Sequence, residues 1–490
     1  MWVPKPNRRD FLRAMGFATG AGTLGLAGCN GDDDGNGNGS GNGNGSGPDD
    51  DGTGTAASCA QIVVRHDVTA SDAQADLDAY KVAVQVMKDR PDSDPTSWNA
   101  QASIHDNFCP HSNAYFLPWH RAYLYYFEQV CAAASNHSTF ALPYWNWTTH
   151  PSIPDPFWVD PLLDPTRNIQ PGQPIPPQYV GAPVIQSILN IQDFETFASK
   201  YVTPSCETNP HQRSFCGTGQ LEGIPHNNVH SIIGGNMGTY WSPLDPIFWL
   251  HHCNVDRLWV EWNKTHANGS DQTWRNFECV ENFVDASGTK QNIIVKDTFD
   301  TTALCYRYDT QSAVSPRTAG MESTATVVAS SSSANEKSAE PGRALAIPVE
   351  LNADVRDQLN EARSMSESAV AGPAKTIRLV IGGITPPKKP LGVNVYVGAS
   401  DTPGSTDSPH YVNTFGFFPT GDAAGEHSDH LHATSFLLEI GDDLARLADQ
   451  WNADGPLSVH VESVPVFDGA EAIEEAVAPT SVTVEVVEHG

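Results

Sequence analysis

Apolar residues recur along this chain in two rhythms. In the first, Leu77, Tyr80, Val84 and Met87 keep a helical period, which predicts an amphipathic helix over 77–88. The run 122–131 keeps the same spacing, and 185–197 returns to it after a proline-rich stretch, 151–183, that reads as loop. Residues 62–65, Ile-Val-Val-Arg, read as a short strand. Tyr144, Trp145 and Trp147 are predicted core. The second rhythm begins at Lys375, where the runs 377–381, 392–397, 435–440, 457–461 and 482–486 alternate between turn residues. Short alternating runs of this kind predict a β-sandwich. The chain therefore reads as a mainly α region followed by an all-β sandwich.

Other stretches carry neither rhythm. Asn7-Arg8-Arg9-Asp10-Phe11-Leu12, followed by apolar residues 14–27, resembles a twin-arginine export signal. Leu26-Ala27-Gly28-Cys29 has the form of a lipoprotein processing box, which would leave Cys29 lipidated. A plain secretory signal or a short anchor is the alternative, and the apolar run falls short of the ~20 residues that span a bilayer. The expectation is export, with the protein lipid-anchored on the outer face of the cytoplasmic membrane or extracellular. Residues 30–57 are nearly all Gly, Asp, Asn and Ser and form a disordered tether. Residues 311–372, rich in Ser, Ala and Glu, read as a linker. The expected organisation is signal 1–29, tether 30–57, catalytic domain 58–310, linker 311–372 and β-sandwich 373–490.

The net charge of −30 argues against nucleic acid as a partner. The absence of internal repeats excludes a multi-unit chain. Nine cysteines are too few for a disulfide scaffold. Cys206 and Cys216 flank a short polar loop and are the favoured pair; Cys59, Cys131, Cys253, Cys279 and Cys305 cannot be paired from sequence.

The chemistry lies in the histidines. His111 and His120 stand nine positions apart around an apolar run in Cys109-Pro-His-Ser-Asn-Ala-Tyr-Phe-Leu-Pro-Trp-His-Arg121. Taken singly, each reads equally as a buried structural histidine. A second cluster changes that balance. In Glu222-Gly-Ile-Pro-His226-Asn227-Asn-Val-His230 the two imidazoles fall one helical turn apart, with Pro225 at the helix start. In Asp245-Pro-Ile-Phe-Trp-Leu-His251-His252-Cys-Asn-Val-Asp256, His252 and Asp256 repeat that spacing, as a ligand and a supporting carboxylate would. His251, at the adjacent helix position, is expected to face away from a metal. Imidazole suits copper, zinc, iron and nickel, and the thiolates of a structural zinc site are lacking. Two histidine clusters point to two metal ions held close together.

These two stretches resemble the paired copper signatures of the tyrosinase, catechol oxidase and molluscan haemocyanin family, the type-3 copper proteins. The resemblance runs over roughly residues 59–308. It implies an antiparallel four-helix bundle with long loops holding a binuclear copper site. It implies His105, His111 and His120 on one copper, and His226, His230 and His252 on the other. The segment 98–105 resembles the one that delivers the family's first ligand, although His66 and His137 compete with His105 and the loop to His111 is short. A cysteine two residues before the second ligand is thioether-bonded to it in part of the family, and Cys109 stands so before His111; an ordinary thiol or a disulfide is the alternative. Glu222 and Asn227 stand where the family places a pair holding a water that deprotonates phenols; their structural alternatives are a helix-start anion and a first-turn polar residue. Met237, Thr239 and Tyr240 are candidates for the pocket mouth. Tyr306-x-Tyr308 resembles the end of plant polyphenol oxidase catalytic domains, where such a pair meets an arginine, here Arg65. The sandwich resembles a domain that covers the copper pocket in those enzymes and can keep them latent. His427, His430 and His432 read as exposed loop histidines.

The implied activity is a polyphenol oxidase that uses O2 to oxidise o-diphenols to o-quinones, with ortho-hydroxylation of monophenols as a further activity. The implied partners are a small phenol, O2 and a copper-delivery protein. A reversible O2 carrier of haemocyanin type and a zinc hydrolase are the rival readings.

Overall fold

The computed structural model describes residues 59, 61–208, 214–311, 322–365, 375–399, 405–418, 432–447, 455–467 and 473–490, with the side chains of 361–365 left out. The export signal, Cys29 and the tether lie outside the described residues, as do His427 and His430. Among the described residues no helix is long and apolar enough to cross a membrane.

Five helices position the histidines: α1 (Gln74–Asp89), α2 (Trp98–Phe108), α3 (Phe116–Ser135), α4 (Asn227–Ile233) and α5 (Ile247–Trp262). Helix α2 starts where the Ser97 side chain accepts the Ala100 N–H, a cap worth about 1 kcal/mol. It stops before Cys109-Pro110, because proline disfavours helical backbone in the residue ahead of it. Helix α3 tolerates Pro118 in its first turn, where an amide N–H has no intrahelical acceptor to lose. It closes at Asn136 in the left-handed conformation, φ 53°. Helix α4 follows a π-helical turn, Glu222–His226, and ends at Gly234, φ 64°. Helix α5 is buried at every position but Glu261, so it is the core helix rather than an amphipathic one. Trp249 on α5 stacks on Phe127 of α3 with ring centroids 3.3 Å apart. Tyr144, Trp145 and Trp147 are buried as expected.

The ends of the helical region meet in a parallel pair of short strands, β1 (Val63–Arg65) and β2 (Tyr306–Tyr308). The Cys59–Cys305 disulfide joins the same two ends. Arg65 lies under them with no solvent exposure. It donates to Glu128 at 2.9 Å and to the Tyr308 hydroxyl at 3.2 Å, and lies 3.6 Å over the Tyr306 ring. The arginine–tyrosine contact expected from sequence is present. Asp256 is its counterpart. It pairs with Arg121 at 2.5 Å and accepts the hydroxyls of Tyr306 at 2.7 Å and Tyr308 at 2.6 Å. Both carboxylate oxygens are thereby used, and Asp256 makes no hydrogen bond to His252. The expected role as a carboxylate orienting that histidine is corrected: one helical turn carries Asp256 past His252 to two buried guanidiniums.

The C-terminal region holds two four-stranded sheets. One has the order β4 (Leu345–Val349), β9 (Leu457–Val464), β6 (Gly392–Val397), β7 (Tyr411–Phe415); the other β8 (Thr434–Glu439), β5 (Lys375–Ile384), β10 (Ser481–His489), β3 (Ala325–Ala334). Strands β3 and β4, with a helix over Ala353–Met365, fall within the stretch expected to be a linker. Serine is small and polar on both faces, so Ser330–Ser333 hid an edge strand that pairs along β10. The edge strand β8 binds the helical region through Thr218, which donates its N–H to the Ser435 carbonyl at 2.7 Å and accepts the Leu437 N–H at 3.0 Å. Arg378 of β5, 2% exposed, pairs across the same junction with Asp193 at 2.8 Å.

Replacing Asp256 by alanine leaves Arg65 and Arg121 buried without their shared carboxylate. The expected cost is about 3–5 kcal/mol in urea unfolding. A loss under about 1 kcal/mol would show that the network is not the fastening it looks to be.

Candidate metal centre

His105 comes from the last turns of α2, His111 from the following loop and His120 from the first turns of α3. His226 ends the π-helical turn, His230 lies on α4 and His252 on α5. All are 3% exposed or less. Within the first trio the ring centroids lie 5.6, 5.4 and 5.4 Å apart. Within the second they lie 4.5, 5.0 and 5.5 Å apart. The trios face each other, His120 stacking on His252 at 4.3 Å and His111 on His226 at 5.5 Å. All the histidines expected from sequence are brought together. The competitors His66 and His137 lie elsewhere, beside Asp309 and Asp76.

The orientation of the rings comes from their Nδ1 atoms. His105 Nδ1 meets the Tyr240 carbonyl at 2.8 Å, His120 Nδ1 the Phe116 carbonyl at 2.8 Å and His230 Nδ1 the Met237 carbonyl at 2.6 Å. His111 Nδ1 meets Glu222 Oε1 at 3.2 Å, and His226 Nδ1 meets Asn227 Oδ1 at 2.9 Å. A carbonyl oxygen only accepts, so the contacts of His105, His120, His226 and His230 place the ring proton on Nδ1 and leave Nε2 without one. His252 is the exception; its Nδ1 has no hydrogen-bond partner. Burial pushes His120 and His230 down to about 3, and His226 and His252 well below the usual imidazole range. Neutral imidazole is the ligating form.

The ring nitrogens form a donor set that suits a metal. The Nε2 atoms of His120 and His226 are buried with no hydrogen-bond partner. His230 Nε2 and His252 Nε2 approach to 3.3 Å. Two nitrogens at about 2.0–2.1 Å from one tetrahedral ion stand about that far apart. The sulfur of Cys109, buried, lies within 4.8 Å of ring nitrogens of His105 and His111.

Several expected residues lie where sequence did not put them. Met237, Thr239 and Tyr240 do not form an open mouth: they are 0%, 8% and 4% exposed, and the carbonyls of Met237 and Tyr240 steer ligand-type histidines. His251 does not face away. It stacks on His226 at 5.3 Å, crosses His230 at 4.9 Å and accepts the Trp147 indole N–H at 3.0 Å. His432 is half-buried against Phe215, with ring centroids 5.2 Å apart. Glu222 is 1% exposed; besides His111 it accepts the Ser112 N–H at 2.8 Å and the Ser199 hydroxyl at 2.6 Å. Burial raises its carboxyl to about 8, against the pull of the Ser199 and Ser112 hydrogen bonds. Asn227 gives its amide N–H to the Gly416 carbonyl at 3.0 Å.

One residue was missed altogether. Phe418, from the C-terminal region, lies over both trios, 4.7 Å from His111 and 4.4 Å from His230. The backbone before it is stitched to the second trio's segment. Gly416 N donates to the Gly223 carbonyl at 2.8 Å, and Ser231 Oγ to the Phe417 carbonyl at 2.6 Å. Only the Phe417-Phe418 pair just after a strand could have drawn attention to it.

The model of the common central domain of tyrosinase matches residues 94–176 and 176–265. This match, with the relatives that follow, supports the tyrosinase family of type-3 copper proteins. It is 28% identical over 467 residues to the chloroplastic polyphenol oxidase of Malus domestica, covering 83% of this chain and 76% of that one. It is 33% identical over 297 residues to the tyrosinase HcTyr1 of a Hahella species, covering 47% of this chain and 60% of that one. The fold matches latent apple tyrosinase with a TM-score of 0.61 at 22% identity, over 89% of this chain and 98% of that one. Latent aurone synthase from its natural source matches at 0.63 and 21% identity, over 88% and 91%. The donor set and the orphaned Nε2 atoms fit the family's binuclear copper.

The buried neutral histidines set a pH dependence for the metal-free protein. An unfolded chain protonates them near 6.5, whereas the folded one resists down to about 3 for His120 and His230. Between those values the unfolded state binds more protons, so stability is complete above 6.5 and is lost as pH falls. Glu222, raised to about 8, works the other way, giving stability that fades as pH rises through 8. The melting temperature of metal-free protein should fall steadily from pH 6.5 to 4, and His120→Gln should flatten that slope. An unchanged melting temperature over that range would contradict the burial of neutral rings.

Proposed function

We propose that this chain is an exported copper-dependent polyphenol oxidase that uses O2 to oxidise o-diphenols to o-quinones. The observation that carries the reading is the pair of facing trios of buried, neutral imidazoles. His105, His111 and His120 would hold one copper ion; His226, His230 and His252 would hold the other, in an antiparallel four-helix bundle covered by a β-sandwich. Bound there, the two ions would supply the O2-binding and redox chemistry of the reaction. The protein holds the rings, excludes water and moves the phenolic proton. A thioether from Cys109 to His111 would restrict that ring's rotation further, and the closeness of the sulfur supports it.

Proton removal falls to Glu222 and Asn227. Glu222 lies 3.2 Å from His111 Nδ1, within the reach a general base at this centre needs. In the closed arrangement Asn227 spends its amide on the Gly416 carbonyl. Withdrawal of residues 414–418 would free that amide to hold a water beside Glu222, and ortho-hydroxylation of monophenols depends on it. Phe418 takes the place of a substrate ring over the trios, so the closed form is the latent one. Export by a twin-arginine signal, lipidation of Cys29 and copper delivery by a partner protein remain part of the reading on the sequence motifs alone.

Copper-loaded protein with O2 should turn catechol into its quinone, and His252→Ala should reduce that rate to background. Colourless protein holding zinc would establish the hydrolase rival, and reversible O2 uptake without quinone would establish the carrier.

The cap gives a second test. A Cβ on residue 416 would lie 2.5 Å from Asn228 Oδ1 and 2.7 Å from its Cγ. Asn228 is buried, and its amide is held by the Ile224 carbonyl at 2.8 Å. Gly416→Ala should therefore dislodge the cap and raise kcat/KM for catechol severalfold. A lower or equal value would remove Phe418 from any latching role.

A further inference from the structure

The loop that carries His111 is gripped from two sides by one hairpin. Ser112, directly after His111, holds a left-handed backbone with φ 57°. Residues other than glycine keep that conformation only where their surroundings impose it. Here one arm of the hairpin supplies the constraint. The N–H groups of Cys216 and Gly217 both donate to the Ser112 carbonyl at 2.9 Å. Thr218 Oγ1 donates to Ser112 Oγ at 2.8 Å, and Asn113 donates to the Ser214 carbonyl at 2.8 Å. The other arm grips the next residues. The Ala114 N–H donates to the Lys200 carbonyl at 2.7 Å, and the Ser199 hydroxyl holds Glu222, which in turn meets His111. Lys200 N–H donates to the Gly217 carbonyl at 2.9 Å and ties the arms together. Beyond it the strands Glu207–Thr208 and Ser214–Phe215 pair, and the Cys206–Cys216 disulfide closes them.

We propose that this hairpin is a positioning element for the first histidine trio, and that the Cys206–Cys216 bond sets how firmly that trio keeps its metal. By joining the arms the disulfide removes their freedom to part. It thereby holds Ser112 left-handed and His111 turned toward His105 and His120. The Cys59–Cys305 disulfide fastens the ends of the helical region at β1 and β2, so it serves as an internal control. The second trio comes from α4, α5 and the turn before α4; the hairpin reaches that turn through Glu222 and through the Gly219 N–H, which donates to Ser199 Oγ at 3.0 Å. The inference rests on the histidines holding two copper ions, as proposed above.

The test compares copper release to a chelator from the full chain and from the double variant Cys206→Ser/Cys216→Ser, with circular dichroism as a check on folding. Wild type taking up fewer than two copper equivalents would overturn the copper reading itself, and this inference with it. With two equivalents bound, the double variant should lose one equivalent about 10- to 100-fold faster than wild type while the other leaves at its former rate. Cys59→Ser/Cys305→Ser should keep both. Adding Ser112→Gly to the double variant should recover part of the retention, because glycine adopts the left-handed backbone without strain. Release of both ions together, or at the wild-type rate, would overturn the positioning role while leaving the copper reading intact. If the double variant fails to fold, Ser199→Ala, with the disulfide intact, carries the same test: faster loss of one equivalent is expected, and wild-type release of both overturns the proposal.

Discussion

Buried imidazoles must be kept neutral, and each must be told which way to turn. That constraint organises the centre of this protein. A charged ring in such a site would carry a large desolvation cost, and a neutral ring has two tautomers that present different nitrogens. The structure meets both demands with backbone. The carbonyls of Phe116, Met237 and Tyr240 take the Nδ1 protons of His120, His230 and His105. Main-chain acceptors do not titrate, so they fix the tautomer at any pH at which the fold survives. The glycine-bearing turn over 234–240 then has a clear purpose. It places the Met237 and Tyr240 carbonyls against rings from two different helices, so it serves both trios at once.

The charged groups are kept at a distance from this centre. Arg65, Arg121, Glu128 and Asp256 form a buried and balanced network beneath it, two cations against two carboxylates. The network anchors α3 and α5, which carry His120 and His252. Asp256 is better used there than beside His252. A carboxylate near a ligand histidine would add negative charge to a site that already holds Glu222. One carboxylate close to the rings is enough, and its raised pKa shows how strongly the surroundings oppose even that one.

How legible this was in the sequence depended on whether the physics was local. The helices α1 and α3, the strands β5, β6, β8, β9 and β10, and the pairing of Cys206 with Cys216 follow from spacing within a few residues. The histidines were legible because metal ligation requires rare residue types in tight patterns. What did not follow was long-range. Asp256 has the spacing of a supporting carboxylate, and only the arrival of Arg65 and Arg121 from distant segments redirects it. Met237 and Tyr240 act through carbonyls, which no side-chain pattern reports. The strand β3 hid in serines because alternation needs two classes of residue to be visible. Phe418 stands far from either histidine cluster in the chain, and its position depends on how β7 meets the turn before α4.

The cap and the groups proposed for proton transfer are coupled through one amide. Asn227 bonds back to His226 with its oxygen and forward to Gly416 with its nitrogen, so the segment that carries Phe418 is tied to a ring of the second trio. Blocking the pocket would need only the phenyl ring. The additional bonds from Gly223, Asn227 and Ser231 commit three residues of the site's own wall to the covering segment. A closed form built this way would occupy the proposed substrate position and a hydrogen-bond donor of the site in a single contact. Lifting the segment would restore both together, so access to the rings and readiness to take a proton are properties of one movement rather than of two.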